Sequence, residues 1–313
     1  MRTTRLAPSP TGALHLGNAR TFILNWLLAR AGGWRIVLRI DDLDGPRVKP
    51  GADRQAIEDL NWLGIDWDEG PIRQSSRTAM YCRAIERLVE TGAAYPCICT
   101  RRETELAASA PHAEDGAAVY PGTCRGRFKS VAEARSAAGR EPAIRFRVPD
   151  QAIEFDDDFA GHFRYEGARL GDFVIAKSDG TPAYQLAVVV DDAERHITDV
   201  VRGDDLLEST ARQILLYHAL NLADRLPRWR HFPLVIGVDG LRLAKRHGDT
   251  RLDHYRRLGV RPQRVLGLLA RWCGVEGADS ISISALRDRF RQDFIAHTPI
   301  IFGSDDDAWL LTN

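Results

Sequence analysis

Apolar positions near the start of the chain fall into three runs with different periods. Arg5 to Ser9 reads as a short strand that ends at Pro10. From about Leu14 to Ala31, the residues Leu16, Ala19, Ile23, Leu24, Leu27 and Leu28 recur at helical spacing. Gly32-Gly33 stops that helix, and WRIVLRI, Trp34 to Ile40, is a compact apolar run suited to a buried parallel strand. Strand, helix and strand with short joints make a right-handed βαβ unit. Asp53 to Leu63 and Thr78 to Thr91 read as two further helices. The pattern changes at Tyr95, and up to about Phe163 the chain is rich in Ala, Gly, Arg and Glu. Between Gly171 and Asp205 two runs, DFVIAK and YQLAVVVDD, read as strands, with Ser178-Asp179-Gly180 as a turn. Glu208 to Leu220 reads as a helix and FPLVIGVDG as a strand ending in a turn. From about Asp253 to Asn313 the chain reads as mostly helical with weak apolar periodicity, and Asp305-Asp306-Asp307 as a solvated turn. The plan is α/β: a nucleotide-binding-like domain, an insertion, and a small helical region.

Composition narrows the class. The 313 residues suffice for a large core and two domains. Lys plus Arg and Asp plus Glu both number 43, so charge does not announce a nucleic-acid partner, although a local basic patch can exist on a neutral chain. No apolar run is long enough for a membrane span and no signal peptide is legible, so a cytoplasmic protein with no membrane partner is expected. In that compartment the five cysteines are read as metal-binding or inert, not as disulfides.

Two stretches carry candidate chemistry. PSPTGALHLGNAR, Pro8 to Arg20, lies after the first strand, where open parallel sheets bind ligands. A helix start there offers unpaired N–H groups and a positive dipole end to a phosphate. Gly12 and Gly17 would let phosphate oxygens approach the backbone, and His15 and Asn18 would add donors. The plainer reading is a turn with His15 as a surface cap. LRLAKRHGD, Leu241 to Asp249, is a dense cationic loop that could neutralise charge on a pyrophosphate, or could simply be a solvated turn.

Together the stretches resemble the two signatures of class I aminoacyl-tRNA synthetases. HLGN resembles the "HIGH" signature and RLAKR the "KMSKS" loop. RLAPSPTGALHLGNAR, LRIDDLD, AYQLAVVVDD and TDVVRGDD, in that order, resemble the glutamyl-tRNA synthetase catalytic core from Arg5 to about Gly259. The resemblance implies a Rossmann-like parallel sheet in two halves, 1–94 and 171–240. It also implies an inserted zinc-bearing α/β subdomain, 95–170, and a signature loop with a C-terminal helical region, 241–313. No anticodon-binding domain is expected, because such a domain needs roughly 150 further residues. In this the chain is similar to the short paralogous family, the glutamyl-Q tRNA(Asp) synthetases. That family activates glutamate with ATP without tRNA and attaches it to the queuosine base of tRNA(Asp).

The insertion places Cys97 and Cys99 two apart and Tyr120 and Cys124 four apart. Three thiolates and one more donor close a tetrahedral zinc site. The residues alone point to His112 as the fourth donor, whereas the resemblance implies Tyr120. Three buried thiols without metal is the alternative. Cys82 and Cys273 lack metal-like neighbours and are expected in the core.

The resemblance also implies site roles. His15 and Lys245 would be catalytic, and Gly12, His15, Gly17, Asn18, Arg242 and Lys245 would bind ATP, with magnesium accompanying it. Arg5 and Arg202 would form the fork for the glutamate side chain, with Ala7, Ser9 and Tyr184 around it. Asp41 would face the substrate ammonium, where the family usually has glutamate. Arg5 could instead pair with Asp41 or Asp42. In the loop, Arg242 and Ala244 depart from the usual lysine and serine, while Lys245 is retained. A monomer is the family expectation. The competing readings are a truncated enzyme charging tRNA(Glu) and a non-catalytic tRNA- or amino-acid-binding protein. His15 and Lys245 speak against the second.

Overall fold

The computed structural model describes residues 1–43, 45–100, 102–104, 119–243 and 247–312. Lys245, Ala244 and His112 therefore lie outside the described residues. Strand β1 (Thr3–Leu6) is buried along its length and leads through the proline–glycine turn into helix α1 (Leu16–Ala31). Strand β2 (Arg35–Ile40) returns parallel to β1, with Thr3 opposite Arg35 and Leu6 opposite Leu38. This is the expected βαβ unit. Leu16, Ala19, Ile23, Leu24, Trp26, Leu27 and Leu28 of α1 are all buried, so the helix is covered on most of its surface.

Helix α2 (Ala52–Trp62), strand β3 (Glu69–Arg73) and helix α3 (Thr78–Glu90) follow, with β3 parallel to β2. The segment after α3 forms β4 (Ala94–Cys97), α4 (Val131–Ala138) and β5 (Ala143–Phe146). A hairpin, β6 (Ala152–Asp157) and β7 (Gly161–Glu166), comes next, and then β8 (Phe173–Ala176). β4, β5 and β8 form one antiparallel sheet. The hairpin joins another: β6 lies beside the strand Arg228–Phe232, with Asp157 opposite Trp229.

YQLAVVVDD is helical. Tyr184–Glu194 forms α5, and the strand expectation is corrected. Leu186, Ala187, Val188, Val189 and Ala193 are all buried. A helix enclosed by core on most sides shows the same continuous apolar run as a buried strand, so periodicity cannot separate them.

Strand β9 (Asp199–Gly203), helix α6 (Leu207–Ala219) and strand β10 (Arg228–Phe232) complete the site's frame. β9 and β10 run parallel with Arg202 opposite His231. The Thr198 N–H donates to the Thr3 carbonyl at 2.9 Å, which sets the start of β9 beside β1. β2 lies on the other side of β1. The chain thus turns both ways from β1, and the crevice at its carboxyl end is the place where such sheets bind ligands.

Strand β11 (Val235–Gly237) precedes helices α7 (Leu252–Arg257), α8 (Pro262–Trp272) and α9 (Ile283–Arg289). β12 (Ile300–Phe302) pairs parallel with β11, and α10 (Ser304–Leu311) closes the described chain. Asp305, Asp306 and Asp307 form the first turn of α10, not a loop turn. Acidic residues there complement the helix dipole. The Asp306 carboxylate also accepts the Gly303 N–H at 3.2 Å, and Asp307 accepts the Tyr255 hydroxyl at 2.6 Å. Among the described residues no helix is long and apolar enough to cross a membrane.

Candidate active site and cysteine cluster

A cavity of about 660 Å³ opens at the carboxyl ends of β1, β2 and β9, a size suited to a small-molecule ligand. Arg5, Ala7, Ser9, Gly12, His15, Gly17, Asn18, Asp41, Tyr184, Arg202 and Arg242 all line it. These are all the described residues that the sequence offered for ATP and glutamate. They come from distant segments, and the crossing at β1 brings them together.

His15 is the N-cap of α1. Its Nδ1 accepts the N–H groups of Gly17 at 3.2 Å and Asn18 at 3.4 Å, while Asn18 Oδ1 accepts the His15 N–H at 3.3 Å. The Leu16 N–H goes to Thr250 O and the Ala19 N–H to His15 O, both at 3.0 Å. The first turn of α1 therefore presents no spare backbone donors, and the expectation of bare N–H groups is corrected. An anion here would meet the dipole, Arg242 and the outer edge of the imidazole. Burial and then the Arg242 charge lower the His15 pKa to about 4. The ring is neutral, Nδ1 is an acceptor, and the proton sits on Nε2. At Gly17 an added Cβ would sit 3.1 Å from the His15 ring. Around Gly12 nothing lies within 4 Å of such a Cβ, so that position leaves open space.

Arg5 and Asp41 of the cavity lining belong to a buried charge cluster. Arg39 donates from Nε to Asp41 Oδ1 at 2.6 Å, from Nη2 to Asp41 Oδ2 at 3.2 Å, and from Nη1 to Asp192 Oδ1 at 2.5 Å. Arg5 pairs with Asp192 Oδ2 at 3.3 Å, and not with Asp41 or Asp42. Both oxygens of Asp41 are thus held by Arg39, although the residue lines the cavity. Its pKa is raised by burial despite that partner. Asp191 is enclosed by Gln74, Arg77 and the Tyr81 hydroxyl at 2.7 to 2.9 Å.

Arg20 Nη2, Arg230 Nε and Arg202 Nη1 are buried without a hydrogen-bond partner among the described residues, and of these three arginines Arg202 is the one that lines the cavity. Its Nε donates to His231 Nε2 at 2.9 Å and its Nη2 to Thr210 Oγ1 at 2.7 Å and Leu206 O at 3.3 Å. Among the described residues Nη1 has no hydrogen-bond partner and is buried. Burial lowers the Arg202 pKa, and the neighbouring Tyr184 phenol, by charge and hydrogen bonding, opposes that shift. A guanidinium does not lose its proton in a protein, so this donor edge asks for an anion.

In the segment between the two signature stretches, Cys97, Cys99 and Cys124 bring their sulphurs within 4.8 Å of one another. The Tyr120 hydroxyl lies 3.3 Å from Cys97 Sγ and 3.4 Å from Cys99 Sγ, and it accepts the Cys124 N–H at 2.9 Å. Arg145 donates to Cys97 Sγ at 3.3 Å and lies 3.8 Å over the Tyr120 ring. Burial pushes the Cys99 thiol up to about 11. Four donors converge beside one cation that would offset surplus thiolate charge, and the set fits a tetrahedral metal ion. Cys82 is half-buried and Cys273 buried, both apart from this cluster.

Sequence reading missed Arg39, Gln74, Asp192 and His231. A signal existed for the first: a charged residue inside the apolar run RIVLRI needs a buried partner. Which partner it takes is set by the packing of α5 and not by spacing.

Residues 2–292 match the family described as tRNA synthetases class I (E and Q), catalytic domain. The chain is 50% identical over 281 residues to a glutamyl-Q tRNA(Asp) synthetase of Symbiobacterium thermophilum, covering 87% of this chain and 86% of that one. It is 40% identical over 308 residues to a glutamate–tRNA ligase of Geobacter sulfurreducens, covering 98% of this chain but 64% of that one. Its fold is similar to the crystal structure of a glutamate tRNA ligase from Elizabethkingia meningosepticum in complex with its amino acid. The TM-score is 0.82 at 28% identity, over 99% of this chain and 68% of that one.

Proposed function

Because this chain belongs to the class I tRNA synthetases for glutamate and glutamine, and is a ligase grouped with the glutamyl-Q tRNA(Asp) synthetases, we propose that it activates glutamate with ATP without tRNA and transfers it to queuosine in tRNA(Asp). The observation that carries the amino-acid half of this reading is the buried, unpartnered Arg202 Nη1 in the cavity wall. A carboxylate is the group that such a planar donor edge recognises.

In the first step a glutamate α-carboxylate oxygen attacks the α-phosphorus of ATP. The bond to the β-phosphate oxygen breaks and pyrophosphate leaves. In the second, a hydroxyl oxygen of the queuosine ring attacks the acyl carbon, AMP leaves, and the hydroxyl proton is lost. No protein nucleophile is needed, so positioning and charge carry the rate. Arg202 and Arg5 take the side-chain carboxylate, with Ser9, Tyr184 and the backbone at Ala7 enclosing it. Asp41 takes the ammonium, and reaching it from the Arg39 pair calls for a small shift or a bridging water. His15 offers Nε2–H to ATP beside Gly12, Gly17, Asn18 and Arg242, and Lys245 stabilises charge developing on the pyrophosphate. Magnesium bound to ATP would offset phosphate charge. Cys97, Cys99, Tyr120 and Cys124 would hold a zinc ion as a cross-link of the fold, since four protein donors leave no open position.

Pyrophosphate exchange with glutamate and no tRNA tests the first step. Exchange is expected, and its loss in Lys245→Ala. Its absence in intact, metal-loaded protein would favour a binding protein.

A further inference from the structure

Two of the side chains that hold Arg202, His231 and Thr210, stand outside the cavity lining. Arg202 on β9 stands directly opposite His231 on β10. An arginine Nε–H can only donate, so the His231 Nε2 at 2.9 Å must be an acceptor. The imidazole proton is therefore on Nδ1, which lies 2.6 Å from Asp157 Oδ2. The other Asp157 oxygen accepts the N–H groups of His231, Phe159 and Ala160 at 2.8 to 3.1 Å, which fixes the carboxylate at the end of β6. Thr210 Oγ1 takes Arg202 Nη2 at 2.7 Å and can give its own proton to His231 Nε2 at 3.2 Å. His231 and Thr210 are fully buried. With Nε and Nη2 tied in this way, Nη1 is the edge left over.

We propose that His231 is a positioning residue for glutamate activation: with its tautomer locked by Asp157, it sets the guanidinium plane of Arg202 so that Nη1 is presented to the substrate carboxylate. The proposal rests on the reading of Arg202 as a glutamate ligand. It also ties the β6–β7 hairpin to the amino-acid pocket through Asp157.

The test is glutamate-dependent pyrophosphate exchange by the full, metal-loaded chain, with KM for glutamate and for ATP measured separately. His231→Asn keeps a donor for Asp157 but has no acceptor at the Nε2 position. His231→Gln puts its Oε1 close to that position. Asp157→Asn offers N–H groups to the ring and favours the wrong tautomer, with a proton on Nε2 facing Arg202. KM for glutamate is expected to rise about tenfold in His231→Asn and Asp157→Asn, and less than about threefold in His231→Gln, as for loss of one hydrogen bond to a charged group. KM for ATP should stay within about twofold in all three. If the His231 variants do not fold, Thr210→Val, nearly isosteric, carries the same expectation of a selective rise in KM for glutamate. Equal rises in His231→Asn and His231→Gln, a parallel rise in KM for ATP, or no effect of Thr210→Val in that case would overturn the proposal. An unchanged KM for glutamate in Arg202→Lys would instead sink the reading of Arg202 on which it rests.

Discussion

At the crossing of β1 and β9, buried charges answer one another: Arg39 and Arg5 face Asp41 and Asp192, and Arg77 faces Asp191. In the cysteine cluster three sulphurs and a phenol converge with Arg145 as the cation the described structure brings to Cys97. The first region is held open by ion pairs whose geometry exists before any ligand arrives. The second has a donor set whose own contacts are sulphur hydrogen bonds, and under the proposed zinc site it would gain its order from a cation taken from solution. The first is therefore expected to keep its shape without ligand, and to be sensitive to single charge deletions. The second is expected to depend on metal and to tolerate loss of substrate.

The largest expected effect separates them at the ligand edge. Arg202→Gln should lower kcat/KM for glutamate by roughly a hundredfold, about 3 kcal/mol, as expected for truncating a buried charged hydrogen bond. Steady-state exchange kinetics measure it, and a loss below about threefold would mean that the guanidinium is structural. Next comes the metal. Cys124→Ser, or dialysis against a chelator, should remove bound zinc by elemental analysis and open the 94–176 segment to limited proteolysis. Exchange should fall by less than about tenfold, because an ion closed off by four protein donors would stabilise the fold and not the transition state. Equal loss of exchange and of zinc would erase the contrast between the two regions.

A third expectation concerns protons. His15 carries a pKa of about 4 against an ordinary value near 6.5, so the folded state binds fewer protons than the unfolded one. Its contribution to stability is fully present above about pH 6.5 and is lost as pH falls from there towards 4. The His15 ring resonances in NMR should stay flat from pH 8 to about 5, and a midpoint near 6.5 would contradict the buried cap. The smallest effect belongs to Gly17→Ala. Its Cβ would press the His15 ring at 3.1 Å, so KM for ATP should rise by about threefold, the cost of a modest rotamer strain. KM for glutamate should hold.

Local signals made much of this legible. The βαβ start, the helices at α2, α3 and α6, and the cysteine spacing all rest on residues near in sequence. Three readings failed for physical reasons. LAVVV is apolar all round because α5 is enclosed, and that pattern hides its helical period. The acidic triplet near the C-terminus caps a helix instead of turning in solvent. The helix start at Leu16 has its N–H groups already paired, because the cap residue is a histidine whose Nδ1 reaches two of them. The Arg39–Asp192 pair and the His231–Arg202–Asp157 chain were beyond reach, since they depend on which strands become neighbours. The sequence marks Gly17 for phosphate clearance, and the structure adds its closeness to the ring of His15.

Glutamate is expected on a modified anticodon base and not on a terminal ribose. The direct measurement offers labelled glutamate to tRNA(Asp) with queuosine, tRNA(Asp) without it, and tRNA(Glu), then identifies the labelled nucleoside by mass after nuclease digestion. Label only on the queuosine nucleoside of the first tRNA is expected. Label on the 3′-terminal adenosine of any of the three, or on tRNA(Asp) lacking queuosine, would contradict it.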